Sequence, residues 1–305
     1  MIDYDGEALD YDASRGGEPR AQATVEALER LLPRGRCTVL DIACGTGIVT
    51  RRLLRPDRTV LGVDCSQGML RLAARRVPGG VVQGDASGLP VASGSVDAVV
   101  IVWLLHLLLD PVPVLAEASR VLRPGGTLIT TVDKDDAYFV PDSDIARVTA
   151  EARRQYAPRV PDHSARVLDW AARQGLVKAG ETEFPGTGQG RSPRSWQEAI
   201  RAGRIPWAGP DRMTGVCDGL AALPDQDTAR PDPLYRVLAL KHFGEHTRRR
   251  DGPRPRCRPH DVSHPLPPRQ ALHRVRASAG GRAATVLAMA TGWVRCWPGY
   301  GWASC

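Results

Sequence analysis

The apolar and polar positions change period in a regular way along the first half of the chain. Within residues 21–32, Ala23, Val25, Leu28, Leu31 and Leu32 recur at helical spacing, and Pro33, Arg34 and Gly35 end the run. Short apolar runs then alternate with helical segments: strands at 38–42, 59–63, 81–83, 96–103 and 127–132, helices at 48–54, from Ser66 onward and at 113–121. Ser66 is placed as the N-cap of its helix. The run at 96–103 is almost wholly apolar, as expected for a strand buried on both faces of a parallel sheet. Residues 123–126, Arg-Pro-Gly-Gly, read as a turn before the fifth strand. Strand and helix alternating at this pace predict a doubly wound α/β sheet.

The second half is less periodic. Helices are expected at 144–156, 164–174 and 195–202, strands at 177–184 and 235–240, and mostly loop over 203–233. The expected architecture is a Rossmann-like, seven-stranded, mostly parallel sheet with helices on both faces. It has three parts: a lid segment at 1–20, a main domain at 21–246 with acceptor-pocket elements in 134–233, and a tail at 247–305. The tail is dense in Arg and Pro and is expected to form no core.

Charge follows the same division. The chain carries a net charge of +7, but residues 247–305 hold 11 arginines against Asp251 and Asp261. The remaining body is close to neutral, which argues against a nucleic-acid-binding face across it. The seven cysteines include no CxxC pair and fit free thiols in a reducing compartment. The first residues are acidic and not signal-like, and the apolar stretch at 98–109 is too short to span a bilayer. A cytoplasmic protein with no membrane partner is expected.

The candidate chemistry begins at Asp41-Ile42-Ala43-Cys44-Gly45-Thr46-Gly47. The strand ends in a carboxylate and turns through two glycines, which let a ligand approach the backbone. The third glycine of a dinucleotide fingerprint is missing, and Asp41 would repel a pyrophosphate. Asp64 closes the second strand, where a carboxylate accepts hydrogen bonds from ribose hydroxyls. Gly84, Asp85 and Ala86 follow the third strand, with Asp85 set to meet an adenine amino group and Ala86 a ring nitrogen.

In this order the motifs resemble class I S-adenosylmethionine (SAM)-dependent methyltransferases of the ubiquinone/menaquinone-biosynthesis-like type, especially small actinobacterial members of specialised metabolism. The family's D/E-x-x-x-G-x-G motif is matched by Asp41, Gly45 and Gly47, and its later acidic residues by Asp64 and Asp85. Leu89-Pro90, Asp97 and the segment 122–126 match further elements. The resemblance runs from about Tyr11 to His242 and is strongest over 37–132. It implies SAM as cofactor, with Asp41 orienting the methionine amino group and Ala43, Thr46, Cys65, Ser66 and Met69 around the nucleoside. Met69 is equally suited to the core. Tyr11 and Arg15 would cover the methionine end, or else belong to a lid held by surface contacts.

On the acceptor side, Trp103 and Leu104 follow the fourth strand and are expected at the cofactor. His106 is the first candidate general base, because an imidazole near pKa 7 suits proton removal from a hydroxyl, with a structural or orienting role as the alternative. His163 is a second candidate. Tyr138, Phe139, Trp196 and Trp207 are expected to line an acceptor pocket or to pack in the core. No metal-ligand spacing is present.

The expected function is methyl transfer to a small molecule, at a hydroxyl of a specialised metabolite. The alternatives are an N- or C-methyltransferase, an RNA methyltransferase and a non-catalytic SAM-binding scaffold. A homodimer is compatible with the sequence.

Overall fold

The computed structural model describes residues 4–156, 160–205, 207–208 and 210–242. The tail expected at 247–305 lies outside the described residues. Seven strands form one sheet: β1 (Cys37–Ile42), β2 (Arg58–Asp64), β3 (Val81–Gln83), β4 (Val96–Ile101), β5 (Leu122–Val132), β6 (Leu176–Pro185) and β7 (Leu234–His242). Their order is β3-β2-β1-β4-β5-β7-β6. Strands β1 to β5 pair in parallel, whereas β7 runs antiparallel to both β5 and β6. This is the expected seven-stranded, mostly parallel sheet. Chain order reverses between β1 and β4, and open α/β sheets bind ligands outside the strand ends at such a point.

The period of two along the central strands sorts side chains onto two faces. Leu40, Ile42, Val99, Ile101 and Leu128 enter one core together with helices α4 (Val112–Val121) and α6 (Ser164–Arg173). Val39, Ala98, Val100 and Ile129 enter a second core beneath α2 (Gly17–Glu29), from which Val25 and Leu28 are buried. Helix α3 (Gln67–Arg76) follows β2, and Ser66 caps it by accepting a hydrogen bond from the Met69 N–H at 3.1 Å.

Four local expectations are corrected. The segment after Gly47 is not an α-helix over 48–54 but a four-residue 3-10 turn, Thr50–Leu53. Its Thr50 hydroxyl is drawn inward to Asp41. The Arg-Pro-Gly-Gly segment lies within the span of β5, where the pairing with β4 jumps from Val96↔Leu122 to Ala98↔Thr127. The residues before 21 contain a further helix, α1 (Tyr4–Ser14), which buries only Ala8 and so carries almost no apolar signal. The span expected to be mostly loop holds α8 (Pro210–Ala221). Gly219 lets α8 lie close to α5 (Asp144–Tyr156): a Cβ at that position would come within 2.8 Å of Val148.

Helices α5, α8 and α7 (Pro193–Arg201) enclose a third core that includes Phe139, Ile145, Trp196, Ile200, Trp207 and Leu220. Its rings pack at 5.4 Å between Phe139 and Trp196 and 6.0 Å between Trp196 and Trp207. Phe139, Trp196 and Trp207 are buried here and contribute nothing to the lining of the main cavity, contrary to the acceptor-pocket expectation. Aromatic packing accounts for their positions. Trp196→Ala is therefore expected to cost about 3–5 kcal/mol of stability, as large-to-small core changes do. Urea denaturation checks this; a loss below about 1 kcal/mol would remove Trp196 from the core.

Candidate functional site

The largest cavity among those described lies over the carboxyl ends of β1, β2 and β4, with a volume of about 140 Å³. Its floor is built where the chain leaves β1. Ala43, Gly45 and Gly47 all take left-handed conformations, at φ 59°, 55° and 74°. At Gly45 the added Cβ would meet nothing within 4 Å, so the conformation rather than space calls for glycine. At Gly47 a Cβ would sit 3.1 Å from the Ala73 Cα, so its absence also lets α3 pack close. Trp103, just beyond β4, is likewise left-handed at φ 64°, and its N–H donates to the Thr131 hydroxyl at 3.0 Å. Two non-glycine residues in this strained region, Ala43 and Trp103, therefore stand at the ends of adjacent strands and line the same cavity.

Two buried carboxylates set the electrostatics. Asp64 accepts the Gly45 N–H at Oδ2 (2.8 Å) and the Ser66 N–H at Oδ1 (2.9 Å). Burial nevertheless pushes its pKa up, against the pull of these backbone bonds. Asp41 accepts the Thr50 hydroxyl at 2.6 Å, and burial, together with the neighbouring charge of Asp64, pushes it up to about 7.

The roof comes from α1 and α2. Asp12 accepts the Thr46 hydroxyl at 2.6 Å and pairs with Arg76 at 2.6 Å. Asp5 accepts both the Ser66 hydroxyl and the Gly68 N–H, at 2.7 and 2.6 Å. These bonds pin α1 to the glycine turn and to the start of α3. Tyr4 and Tyr11 pack edge to face at 6.0 Å and line the cavity with Arg15.

Of the expected site residues, Tyr11, Arg15, Asp41, Ala43, Gly45, Thr46, Asp64, Cys65, Met69, Trp103 and Leu104 meet in this lining. Gly47 and Ser66 support it from behind. Gly84, Asp85 and Ala86 stand outside it; Asp85 is exposed, and its Oδ1 accepts the Ser87 N–H and hydroxyl, both at 2.7 Å. His106 is also outside the lining, between the lining residues Leu104 and Leu107. Desolvation first, then the charges of Lys134, Arg15 and Arg20, push its pKa down to about 3. This environment disfavours the protonated imidazole, which weighs towards the structural or orienting role over that of a near-neutral base. His163 caps α6 by accepting the Ala165 N–H and lines a separate, smaller cavity with Asp133, Asp135 and Arg153. Sequence reading missed Tyr4, Asp12, Arg20 and Thr24, which line the cavity from helices without a motif. Among the described residues no group of three or more His, Cys, Asp and Glu is placed to hold a metal, and no helix is long and apolar enough to cross a membrane.

Residues 40–130, which hold both strained turns and both carboxylates, match the family described as "Methyltransferase domain". The match is to a methyltransferase domain, the class that the motifs implied. The chain is 41% identical over 133 residues to a demethylmenaquinone methyltransferase of Mycolicibacterium vanbaalenii, covering 41% of this chain and 56% of that protein. It is 36% identical over 124 residues to an uncharacterized methyltransferase of Mycobacterium tuberculosis, covering 40% of this chain and 51% of the relative. The chain thus spans about half the length of the curated relatives it matches. In fold it is similar to a chain from the complex between the Haloferax volcanii Trm112 methyltransferase activator and a methyltransferase. That likeness has a TM-score of 0.50 and 19% identity, over 79% of this chain and 98% of the other.

The raised pKa of Asp41 has a thermodynamic sign. Between about pH 4 and pH 7 the folded protein holds a proton that the unfolded chain has released, so this group lowers stability as pH rises through that window. His106, whose pKa is depressed, acts oppositely and adds stability as pH rises from about 3 towards 6.5. Asp41→Asn removes only the first effect. Its stability relative to wild type is expected to rise between pH 4 and 7 and to level off above. Denaturant titrations at stepped pH check this; a difference that does not vary with pH would show that Asp41 is not perturbed.

Proposed function

We propose that this chain transfers the methyl group of SAM to a small-molecule acceptor, at a hydroxyl of a specialised metabolite. The observation that carries the proposal is the pair of buried carboxylates, Asp41 and Asp64, under one cavity at the ends of adjacent strands. SAM brings two cationic groups and a ribose diol, and the donor set fits it. Each Asp64 oxygen accepts one N–H and keeps a lone pair for a ribose hydroxyl. Asp41 takes the methionine ammonium, which favours the ionised carboxylate and draws its pKa back down. Arg15 and Tyr11, on the opposite wall, take the methionine carboxylate end. Cys65 and Met69 border the nucleoside. Asp85 is assigned to the adenine amino group through Oδ2, which has no hydrogen bond among the described residues.

When bound, SAM supplies a sulfonium methyl that an acceptor oxygen attacks in line, the carbon–sulfur electron pair leaving on sulfur. The residues of the chain align the partners and exclude water. Trp103 and Leu104 hold the methyl end of the cavity, and α1 closes it through Asp5 and Asp12. His106, next to the lining residues Leu104 and Leu107 but outside the lining itself, is kept as a positioning residue for the acceptor side, and the hydroxyl proton leaves to bulk solvent as the site reopens. The free thiols of Cys37, Cys44, Cys65 and Cys217 fit a reducing cytoplasm.

Asp64→Ala is expected to weaken S-adenosylhomocysteine (SAH) binding by about 1.5–3 kcal/mol, roughly 10- to 150-fold, for the loss of charge-assisted hydrogen bonds. Isothermal titration calorimetry measures it. An unchanged affinity would sink the placement of the cofactor.

A further inference from the structure

Two arginines line the same cavity, and one of them, Arg15, pairs with Glu7 at 3.7 Å. Elsewhere the chain gives its partly buried arginines carboxylate partners: Arg58 pairs with Glu29 at 2.6 Å, Arg230 with Asp144 at 2.8 Å and Arg153 with Asp136 at 3.0 Å. Arg20 is different. It lines the cavity from α2, with its guanidinium stacked 4.9 Å from the Trp103 ring centroid, and among the described residues no carboxylate lies within ion-pair distance. The charged and titratable groups that act on it are Tyr235, Tyr11, Arg15 and Tyr138, and desolvation is the largest influence.

A second guanidinium repeats the pattern. Arg191 stacks 4.8 Å from the Tyr138 ring and 4.9 Å from the Trp196 ring, again with no carboxylate partner among the described residues. Trp103, Tyr235 and Tyr138 form one continuous aromatic wall, with centroids 4.4 Å and 6.3 Å apart, and the two arginines stand at its ends. Both act on the Tyr235 hydroxyl. On the other flank, the charges felt by His106 are Lys134, Arg15 and Arg20, with no acid among them. Of these groups Trp103, Arg15 and Arg20 line the cavity, opposite Asp41 and Asp64, while Tyr235, Arg191 and the expected pocket residue Tyr138 lie outside its lining and pack in series from Trp103.

A desolvated guanidinium without a counter-ion is costly, and stacking on an aromatic ring offsets only part of that cost. Asp41 and Asp64 are assigned to the cationic and ribose groups of the cofactor, and Arg15 with Tyr11 to its carboxylate, which leaves Arg20 without a balancing anion. We infer that the methyl acceptor carries an oxyanion, a carboxylate or phosphate, which Arg20 binds beside Trp103, with Arg191 reinforcing the field from behind Tyr138. This inference rests on the methyl-transfer reading and gives its acceptor a chemical class. Arg20 and the aromatic wall select the acceptor by its charge, while the apolar lining residues Leu104 and Leu107 leave room for a hydrophobic body.

The test uses the full chain in two stages. SAH binding is measured first by calorimetry, and its failure would defeat the methyl-transfer reading itself. On SAH-saturated protein, 4-hydroxybenzoate is then compared with its methyl ester, and phenyl phosphate with phenol. At least one anion is expected to bind tenfold or more tightly than its neutral partner, and the stronger of the two identifies carboxylate or phosphate. Arg20→Gln is expected to abolish the preference while SAH still binds, and Arg20→Lys to keep part of it. Equal binding of anionic and neutral probes by wild type would overturn the inference. So would a preference that survives Arg20→Gln, or a loss of SAH affinity in that variant, which would make Arg20 a cofactor ligand.

Discussion

The Asp64 carboxylate joins three pieces of chain that the sequence keeps apart. One oxygen holds the N–H of Gly45, in the turn after β1, and the other holds the N–H of Ser66, at the start of α3. The side chain itself belongs to the end of β2. This ties the glycine turn to the α3 N-terminus and fixes the cavity floor. It also brings a second acid, Asp41, into the same buried region, and the cost shows in the raised pKa values of both groups. A cationic ligand relieves that cost, so the strain in the free protein and the proposed affinity for a sulfonium amino acid have one origin.

The roof and the acceptor wall are built differently. Hydrogen bonds rather than apolar burial hold α1: Asp5 reaches Ser66 and Gly68, and Asp12 reaches Thr46 and Arg76. Such contacts exchange readily with water, which suits the covering role proposed for α1. The side around Trp103 is packed by contrast: Trp103, Tyr235 and Tyr138 lean on one another, and Tyr138 packs on the core of α5, α7 and α8. Catalysis by alignment needs this division between a fixed wall and a releasable cover. It does not need a strong base, which agrees with an imidazole at His106 whose pKa is depressed to about 3.

The first five strands were legible because each is a short apolar run, although β4 ends at Ile101 and β5 begins at Leu122 rather than at 127. The Asp41–Gly47 turn and Asp64 were legible because left-handed backbone and strand-end acids leave a mark in residue type. Helix α1 left none, since one buried alanine makes no apolar stripe. Helix α8 was hidden by its glycines, although Gly219 is what lets it approach α5.

The sequence by itself determined the sheet, the glycine turn and the acidic strand ends, on which the proposed methyl donor rests, because these depend on local residue type and spacing. Only the tertiary structure decided which aromatic residues pack in the core and that Trp103 lines the cavity, that the surroundings of His106 lower its pKa, and that Arg20 lines the cavity without an acid within ion-pair distance among the described residues. Burial and charge balance depend on distant neighbours: Trp196 meets Phe139 and Trp207, His106 lies in the field of Lys134 and Arg15, and Arg20 meets Trp103. No local pattern encodes those encounters, because each is set by where separate elements come to rest.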